Sequence, residues 1–310
     1  MVSILLYLLL FFLVALVSGN NMPTCFGPAI SSGIIGRKTG ILATIIGYML
    51  GFLVEGWLLK AGLLSLMPIQ SEALVSLALV ITMLMFLISH VLRVPQSLSI
   101  TFTMVIIGIG IGYGTKMNMP FVVEVIAFWV LSALIAGVVT FAMMKIAFRF
   151  MPKVRVWMAL SRIKPLLVLI SFFTAFVLGA NTIGFLYASV SNIVDPLYAT
   201  EVTLAAIIFG SILLSRGELN RMGNEILPLR YVNALISQTI AVAMVQIATF
   251  FSIPASNTQT LILSIYGAGL SYKVRLLRKR PIITIAFAWI STAVVSLLLG
   301  YIVTKSIYHL

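Results

Sequence analysis

The stretch FSIPASNTQTLILSIYGAG (Phe251–Gly269) places five polar residues in a row, one residue after a proline, in a chain that is otherwise strongly apolar. A second stretch, RVPQSLSITFTMVIIGIGIG (Arg93–Gly112), has the same plan, with Pro95 lying 159 residues before Pro254. In both, hydroxyl side chains follow the proline, and an apolar run ends in spaced glycines. Because proline suits the first turn of a helix, the pattern predicts two short, broken or re-entrant helices with polar beginnings. At membrane depth such segments occur only where they line a cavity or are buried in protein.

The composition is that of a membrane protein. Of the 310 residues, 61% are hydrophobic and 9% are charged, and the mean hydropathy is +1.17; soluble domains carry roughly 25% charged residues. Apolar runs near 20 residues match a bilayer core, and the absence of strand-type alternation favours helices over a barrel. The net charge of +13 is explained by loop residues that orient the spans, not by a nucleic-acid partner. A single cysteine, Cys25, and two histidines exclude an intrachain disulfide and disfavour a metal centre.

Eight long apolar spans and the two short segments together predict ten transmembrane crossings. With the N-terminus outside, 17 of the 20 lysines and arginines fall in inside loops, which predicts that both termini lie outside. We therefore expect a multi-pass protein of the cell (plasma) membrane. The long spans are predicted at about 2–18, 39–59, 73–91, 121–147, 165–188, 198–214, 231–251 and 282–304, and the short segments at 94–113 and 253–271.

Other motifs repeat in the same order as the two short segments. FWVLSALIAGVV (Phe128–Val139) matches AWISTAVVSLLL (Ala288–Leu299), and SGNN (Ser18–Asn21) matches GANT (Gly179–Thr182). Because each copy contains five crossings, an odd number, the second copy is expected to be inverted in the membrane. Inverted repeats with broken helices are typical of secondary transporters, whose substrate site lies at the midplane. The predicted domains are a first repeat (1–150), a basic cytoplasmic linker (151–164) and a second, inverted repeat (165–310).

The polar residues after each proline are candidate anion ligands, because a helix N-terminus presents free N–H groups and the positive end of the dipole. The two Asn motifs interrupt apolar spans, and their amide and unwound backbone carbonyls suit a sodium ion. Helix–helix packing is the alternative role for such residues. No cofactor is expected beyond Na⁺ as a coupling ion. The candidates for the anion are Ser97, Ser99, Ser256, Asn257 and Thr258, and those for the cation are Asn20 and Asn181.

These motifs resemble those of the PiT family of inorganic phosphate transporters. That family carries a G-A-N-D-V-A-N-A motif in each half and a later G-[IL]-P-x-S-x-T-H segment, and the resemblance covers nearly the whole chain, including LSRGELNRMGNEILPL (Leu214–Leu229). It implies a secondary transporter of inorganic phosphate. By the resemblance, the family's ligands map onto the candidates above and onto Asn21 and Thr182 as further anion ligands.

The chain departs from the family at the motif aspartates, which are Asn21 and Thr182 here. Phosphate at neutral pH keeps a proton that a carboxylate can accept, whereas sulfate has none. The loss of both aspartates makes a sulfate or other oxyanion permease the alternative. Further departures are Thr24 and Phe185 at the second motif asparagine, Ile100 and Gln259 at the histidine, and Gly47 or Tyr48 at a later glutamate.

The leading prediction is a phosphate permease, not an enzyme, that works by alternating access. Coupling to Na⁺ or H⁺ is expected, because moving an anion against an inside-negative potential costs about 2.3 kcal/mol per charge per 100 mV. A membrane-embedded enzyme is the remote alternative, since Glu55, Glu124 and Glu201 fall near the outer ends of spans and no acid, base or metal ligand lies near the midplane. The expected partners are phosphate or sulfate, the coupling ion and the lipid bilayer; a homo-oligomer is left open.

Overall fold

The computed structural model describes the backbone of residues 2–67, 71–91, 96–150, 156–215, 231–272 and 279–308, and these residues are almost entirely helical, with no strand among them. A 3₁₀ turn (Gly56–Leu58) joins the second helix to the third, and a π turn (Gly179–Ile183) joins the seventh to the eighth. The helices are α1 (Val2–Ser31), α2 (Arg37–Glu55), α3 (Leu59–Leu66), α4 (Glu72–Val91), α5 (Leu98–Tyr113), α6 (Met119–Phe150), α7 (Val156–Leu178), α8 (Gly184–Ser191), α9 (Pro196–Leu213), α10 (Tyr231–Phe250), α11 (Asn257–Leu270) and α12 (Lys279–Tyr308).

Eight helical stretches within the described ranges are long and apolar enough to cross a membrane, and they coincide with the eight long spans predicted. The all-helical, multi-pass architecture is therefore confirmed. The two Pro-led segments form the shorter helices α5 and α11, of 16 and 14 residues. At 1.5 Å per residue these extend about 24 and 21 Å, less than the ~30 Å of a bilayer core. Each begins at a buried, extended serine, Ser97 or Ser256, so both helices start inside the protein.

The prediction that the first Asn motif interrupts its span is wrong, because α1 runs unbroken through it to Ser31. Pro23 and Pro28 lie within this helix. A proline removes the N–H that would bond the carbonyl four residues earlier, and neighbouring side chains can take its place in a membrane protein. Pro28 frees the carbonyl of Thr24, which accepts a hydrogen bond from Gln238 Nε2 at 3.2 Å. The second Asn motif is not unwound either; it forms the π turn between α7 and α8.

The helices pack across the two halves of the sequence and form three groups. In the central bundle, α1 packs on α9 and α2 packs on α7, with α8 beside them. In the first flanking bundle, α5 packs between α4 and α12; in the second, α11 packs between α10 and α6. Each flanking bundle therefore takes two helices from one repeat and one long helix from the other, and the exchange is reciprocal.

Two glycines show that the flanking bundles are structurally equivalent. A Cβ on Gly108 of α5 would collide with the carbonyl of Leu297 in α12, and a Cβ on Gly267 of α11 would collide with the carbonyl of Gly137 in α6. Only glycine allows these backbones to approach so closely. The two glycines are 159 residues apart in the sequence, and the residues that they contact, Gly137 and Leu297, are 160 apart. The same close approach therefore occurs once in each flanking bundle, as expected for two repeats.

Some predicted features fall outside the described residues. They include Pro95 in 92–95, part of the linker in 151–155, and the basic stretches in 216–230 and 273–278. The sidedness of the loops, the count of ten crossings and the inversion of the second repeat stay predictions.

Candidate functional site

The loop ahead of α11 is held by the second Asn motif. Asn181 is fully buried, and its Nδ2 donates to the carbonyl of Ile253 (2.9 Å) and to Thr249 Oγ1 (3.0 Å). Its Oδ1 accepts from the backbone N–H of Ala255 at 2.8 Å. One side chain thus fixes the peptide groups on both sides of Pro254. The Asn181 amide thus makes three hydrogen bonds. Its role as a cation ligand stays a prediction, and a cation would have to bind the second lone pair of Oδ1.

Two further contacts anchor the same loop. The indole Nε1 of Trp129, on α6, donates to the carbonyl of Pro254 at 2.7 Å in a buried position. Ser252 has a positive φ of 59°, and its hydroxyl donates to the carbonyl of Leu58 at 2.7 Å. Three separate parts of the chain therefore determine where α11 begins and which way its N-terminus points.

The N-terminus of α11 presents unpaired hydrogen-bond donors. Ser256 is the N-cap, and its hydroxyl accepts from the N–H of Gln259 at 3.3 Å. Asn257, the first helical residue, is buried, yet its Nδ2 has no hydrogen-bond partner. Thr258 is half-buried. Since the first N–H groups of a helix also lack intrahelical partners, this end is rich in donors and lacks an acceptor.

The N-terminus of α5 is arranged differently. Ser97 is the N-cap but makes no capping hydrogen bond with its side chain, so the first N–H groups of α5 are not capped by it. Ser99 is buried in the first turn. Gln96, just before the helix, is buried as well; its Nε2 donates to Thr101 Oγ1 and its Oε1 has no partner.

Packing brings the start of α5 to the second Asn motif and to the loop ahead of α11. Ile100 belongs to one apolar cluster with Trp129, Ile253 and Ala255. Phe102 meets the ring of Phe185, three residues after Thr182, edge-on at a centroid distance of 5.4 Å. The structure therefore gathers the predicted residues of the two Pro-led segments and of the second Asn motif around one region.

The first Asn motif lies elsewhere in the hydrogen-bond network. Asn20 and Asn21 are half-buried on α1, where Asn20 Nδ2 donates to Asn21 Oδ1 at 3.4 Å. Gln238 of α10 donates through Nε2 to the carbonyls of Thr24 (3.2 Å) and Cys25 (2.5 Å). Within the described residues, no hydrogen bond joins Asn20 or Asn21 to the first turn of α5 or α11. Their predicted ligand roles stay predictions.

Carboxylates and metal ligands are sparse in the described part of the chain. No group of three or more histidine, cysteine, aspartate or glutamate residues could hold a metal there. Glu55 lies at the end of α2, where its carboxylate accepts from Gln246 Nε2 at 2.7 Å. Among the described residues, no charged side chain forms a hydrogen bond with the predicted site residues of the two Pro-led segments or the second Asn motif.

Comparisons with known proteins agree with this architecture. Residues 158–300 match the model of the phosphate transporter family. A candidate phosphate permease of Methanocaldococcus jannaschii is 24% identical over 303 residues, which cover 96% of this chain and 95% of the relative. A solved structure described as a sodium-dependent phosphate transporter has the same fold, with a TM-score of 0.81 over 100% of this chain and 99% of the other, at 14% identity.

These matches support the resemblance drawn from the motifs, and the eight long apolar helices confirm the prediction of a multi-pass membrane protein. The matched family and the solved structure are transporters and not enzymes. The two positions at which the PiT family carries aspartate differ in environment in this chain. Asn21 is half-buried on α1, whereas Thr182 is buried in the π turn.

Sequence reasoning missed several residues of the candidate site. Gln96 and Thr249 were not singled out, and Trp129 was used only as a marker of the repeat. Gln238 lies in the span predicted at 231–251, and the structure shows it bridging α10 and α1. The one available signal was position: Gln96 and Trp129 lie within or beside the repeated motifs.

Proposed function

We propose that this protein is a permease that carries inorganic phosphate across the membrane. The observation that carries the proposal is the buried, unpaired Nδ2 of Asn257 at the N-terminus of α11. A buried donor without a partner costs about 1–3 kcal/mol, and an anion bound there would offset that cost. The match of residues 158–300 to the phosphate transporter family and the similarity to a candidate phosphate permease make phosphate the favoured anion.

The proposed site binds its anion without a formal positive charge. The donors are the Asn257 amide, the first N–H groups of α5 and α11, and the hydroxyls of Ser97, Ser99 and Thr258. Inside a protein such neutral donors act in a low dielectric, where each hydrogen bond is stronger than in water. Moderate binding without a fixed cation suits a transporter, which must also release its substrate.

Alternating access would move the flanking bundles against the central bundle. Each flanking bundle carries one of the two helix N-termini, and the glycine contacts of Gly108 and Gly267 make each a tightly packed unit. Because these bundles mix helices of both repeats, the moving bodies are not the two halves of the sequence. We propose coupling to Na⁺ or H⁺, with Asn20 as a cation ligand on α1, because accumulation of an anion needs a driving ion.

The test is uptake of radiolabelled phosphate by purified protein in liposomes under imposed sodium or proton gradients. We expect saturable uptake by the wild-type protein and a KM raised about tenfold or more in Asn257→Leu, since one hydrogen bond to a charged group contributes about 1.5–3 kcal/mol. Ser264→Ala is the matched control, because Ser264 is also buried and unpaired on α11, about two turns from its N-terminus. Saturable sulfate uptake without phosphate uptake would instead identify the oxyanion alternative, and an unchanged KM in Asn257→Leu would contradict the site.

A further inference from the structure

Gln96 presents a buried hydrogen-bond acceptor beside the N-terminus of α5. The residue is 6% exposed, and its Oε1 has no partner. The carboxamide is tied by its Nε2 to Thr101 Oγ1 in the first turn and a half of the helix, so the whole group lies alongside the start of α5. An unpaired acceptor at this place is unexpected, because the backbone groups that a helix N-terminus leaves unpaired are donors.

The hydrogen-bond network fixes which end of the amide is unpaired. The hydroxyl of Thr101 donates its one proton to the carbonyl of Ser97 at 3.0 Å. It can therefore only accept from Gln96, which places Nε2 toward Thr101 and leaves Oε1 free. The free atom is thus an oxygen, and a ligand that satisfies it must supply either a proton or a cation.

Electrostatics favours the proton. The N-terminus of a helix carries a partial positive charge of roughly half an elementary charge, which repels a cation and attracts an anion. An anion beside a carbonyl oxygen is stabilised only if it carries a hydrogen that the oxygen can accept. Phosphate meets both conditions near neutral pH, because it is an anion that retains an O–H group. Sulfate has the charge and the shape but no proton.

We propose that Gln96 is a specificity-determining residue, whose Oε1 accepts a hydrogen bond from the protonated oxygen of phosphate. This inference rests on the proposed function of phosphate transport. Gln96 supplies the acceptor that a carboxylate would provide, in a chain that has Asn21 and Thr182 where the PiT family has aspartate. A neutral acceptor discriminates by leaving its own oxygen unpaired when sulfate binds, since a buried group that loses its partner keeps its full desolvation cost.

The experiment compares competing anions on the same protein in liposomes. Uptake of radiolabelled phosphate is inhibited with unlabelled phosphate, sulfate or monofluorophosphate, a dianion of similar shape with fluorine in place of the O–H. For the wild-type protein we expect sulfate and monofluorophosphate to inhibit at least tenfold more weakly than phosphate. In Gln96→Leu, which keeps a similar volume, the three inhibition constants should converge to within about threefold, mainly because phosphate binds more weakly. In Gln96→Glu, which keeps an acceptor and adds charge, the preference for phosphate should persist or grow.

A ratio of inhibition constants does not depend on how much protein is folded, so a variant that folds poorly still yields an interpretable ratio. The inference is overturned if Gln96→Leu keeps the wild-type ratio of inhibition constants, whether or not the sodium concentration for half-maximal uptake changes. Equal inhibition by all three anions in the wild-type protein would overturn it as well. Wild-type protein that transports no phosphate at all would contradict the proposed function, a result distinct from these, and would remove the inference with it.

Discussion

Replacing Asn181 with alanine tests whether the second Asn motif positions the start of α11. The side chain makes three buried hydrogen bonds of 2.8, 2.9 and 3.0 Å, two of them to the backbone of the loop at Ile253 and Ala255. Alanine cannot replace any of them. The helix N-terminus that presents Asn257 would then lose the contact that fixes the peptide groups on both sides of Pro254.

The expected cost follows from the groups left behind. The N–H of Ala255 and the carbonyl of Ile253 are buried and would each lose a partner, at about 1–3 kcal/mol apiece. Thr249 adds little, because its hydroxyl keeps its own donation to the carbonyl of Val245 at 2.9 Å. We therefore expect Asn181→Ala to destabilise the protein by about 2–6 kcal/mol, a sum of two such losses.

Two measurements on the same variant separate a positioning role from a ligand role. The midpoint of thermal unfolding in detergent should fall, and the KM for phosphate in liposomes should rise. The sodium concentration for half-maximal uptake should stay within about twofold of wild type. Thr249→Val is the matched control, because it removes one acceptor of the Asn181 amide and leaves both loop contacts intact. Its unfolding midpoint should fall by about half as much, since one buried group loses its partner where Asn181→Ala leaves two.

The positioning role would be refuted by an Asn181→Ala protein that unfolds at the wild-type temperature and binds phosphate normally. If that protein also required much more sodium, Asn181 would be a cation ligand, as the sequence pattern alone predicts. A fall in stability equal to that of Thr249→Val would show that the loop contacts contribute little.

Three further changes test the packing around the site. Trp129→Phe should lower the unfolding midpoint and raise the phosphate KM, because it strips the buried Pro254 carbonyl of its donor at a cost of about 1–3 kcal/mol. Gln238→Leu should cost about 1–3 kcal/mol in unfolding assays, since the Thr24 carbonyl, which Pro28 leaves without a helix donor, loses its partner, while the phosphate KM changes little. Gly267→Ala should destabilise by about 1–3 kcal/mol, because its methyl group meets the backbone of α6; Gly27→Ala, where the added carbon has only ordinary contacts, is its control and should unfold like wild type.

Hydropathy predicts the eight long helices well, because a helix that crosses the bilayer core needs about 20 mainly apolar residues. The prediction from sequence failed at the end of the first span. Pro23, Pro28 and the Asn pair read locally as a break, but α1 continues to Ser31. The contact that compensates for Pro28 comes from Gln238, 214 residues away from Thr24, and no local pattern contains it.

The candidate site, too, was only partly predictable from the sequence. The polar character of Asn181, Ser256 and Asn257 was visible in the sequence, and so was their repeat relationship. What the sequence could not supply was the partner of each group. Asn181 has its loop partners 72 and 74 residues away, and whether an amide is engaged or unpaired depends on such distant contacts. That difference separates Asn181, which is fully engaged, from Asn257, whose amide is free.

The reciprocal packing of the two repeats has a consequence for biosynthesis. When ribosomes have made only the first repeat, α5 and α6 lack the helices that bury their glycine faces, and α5 must wait for α12. The nascent first repeat can form the contacts among its own helices, but both flanking bundles stay incomplete until the second repeat has been inserted. Two separately expressed fragments divided after Phe150 should each be unstable alone and should recover a folded transporter when produced together.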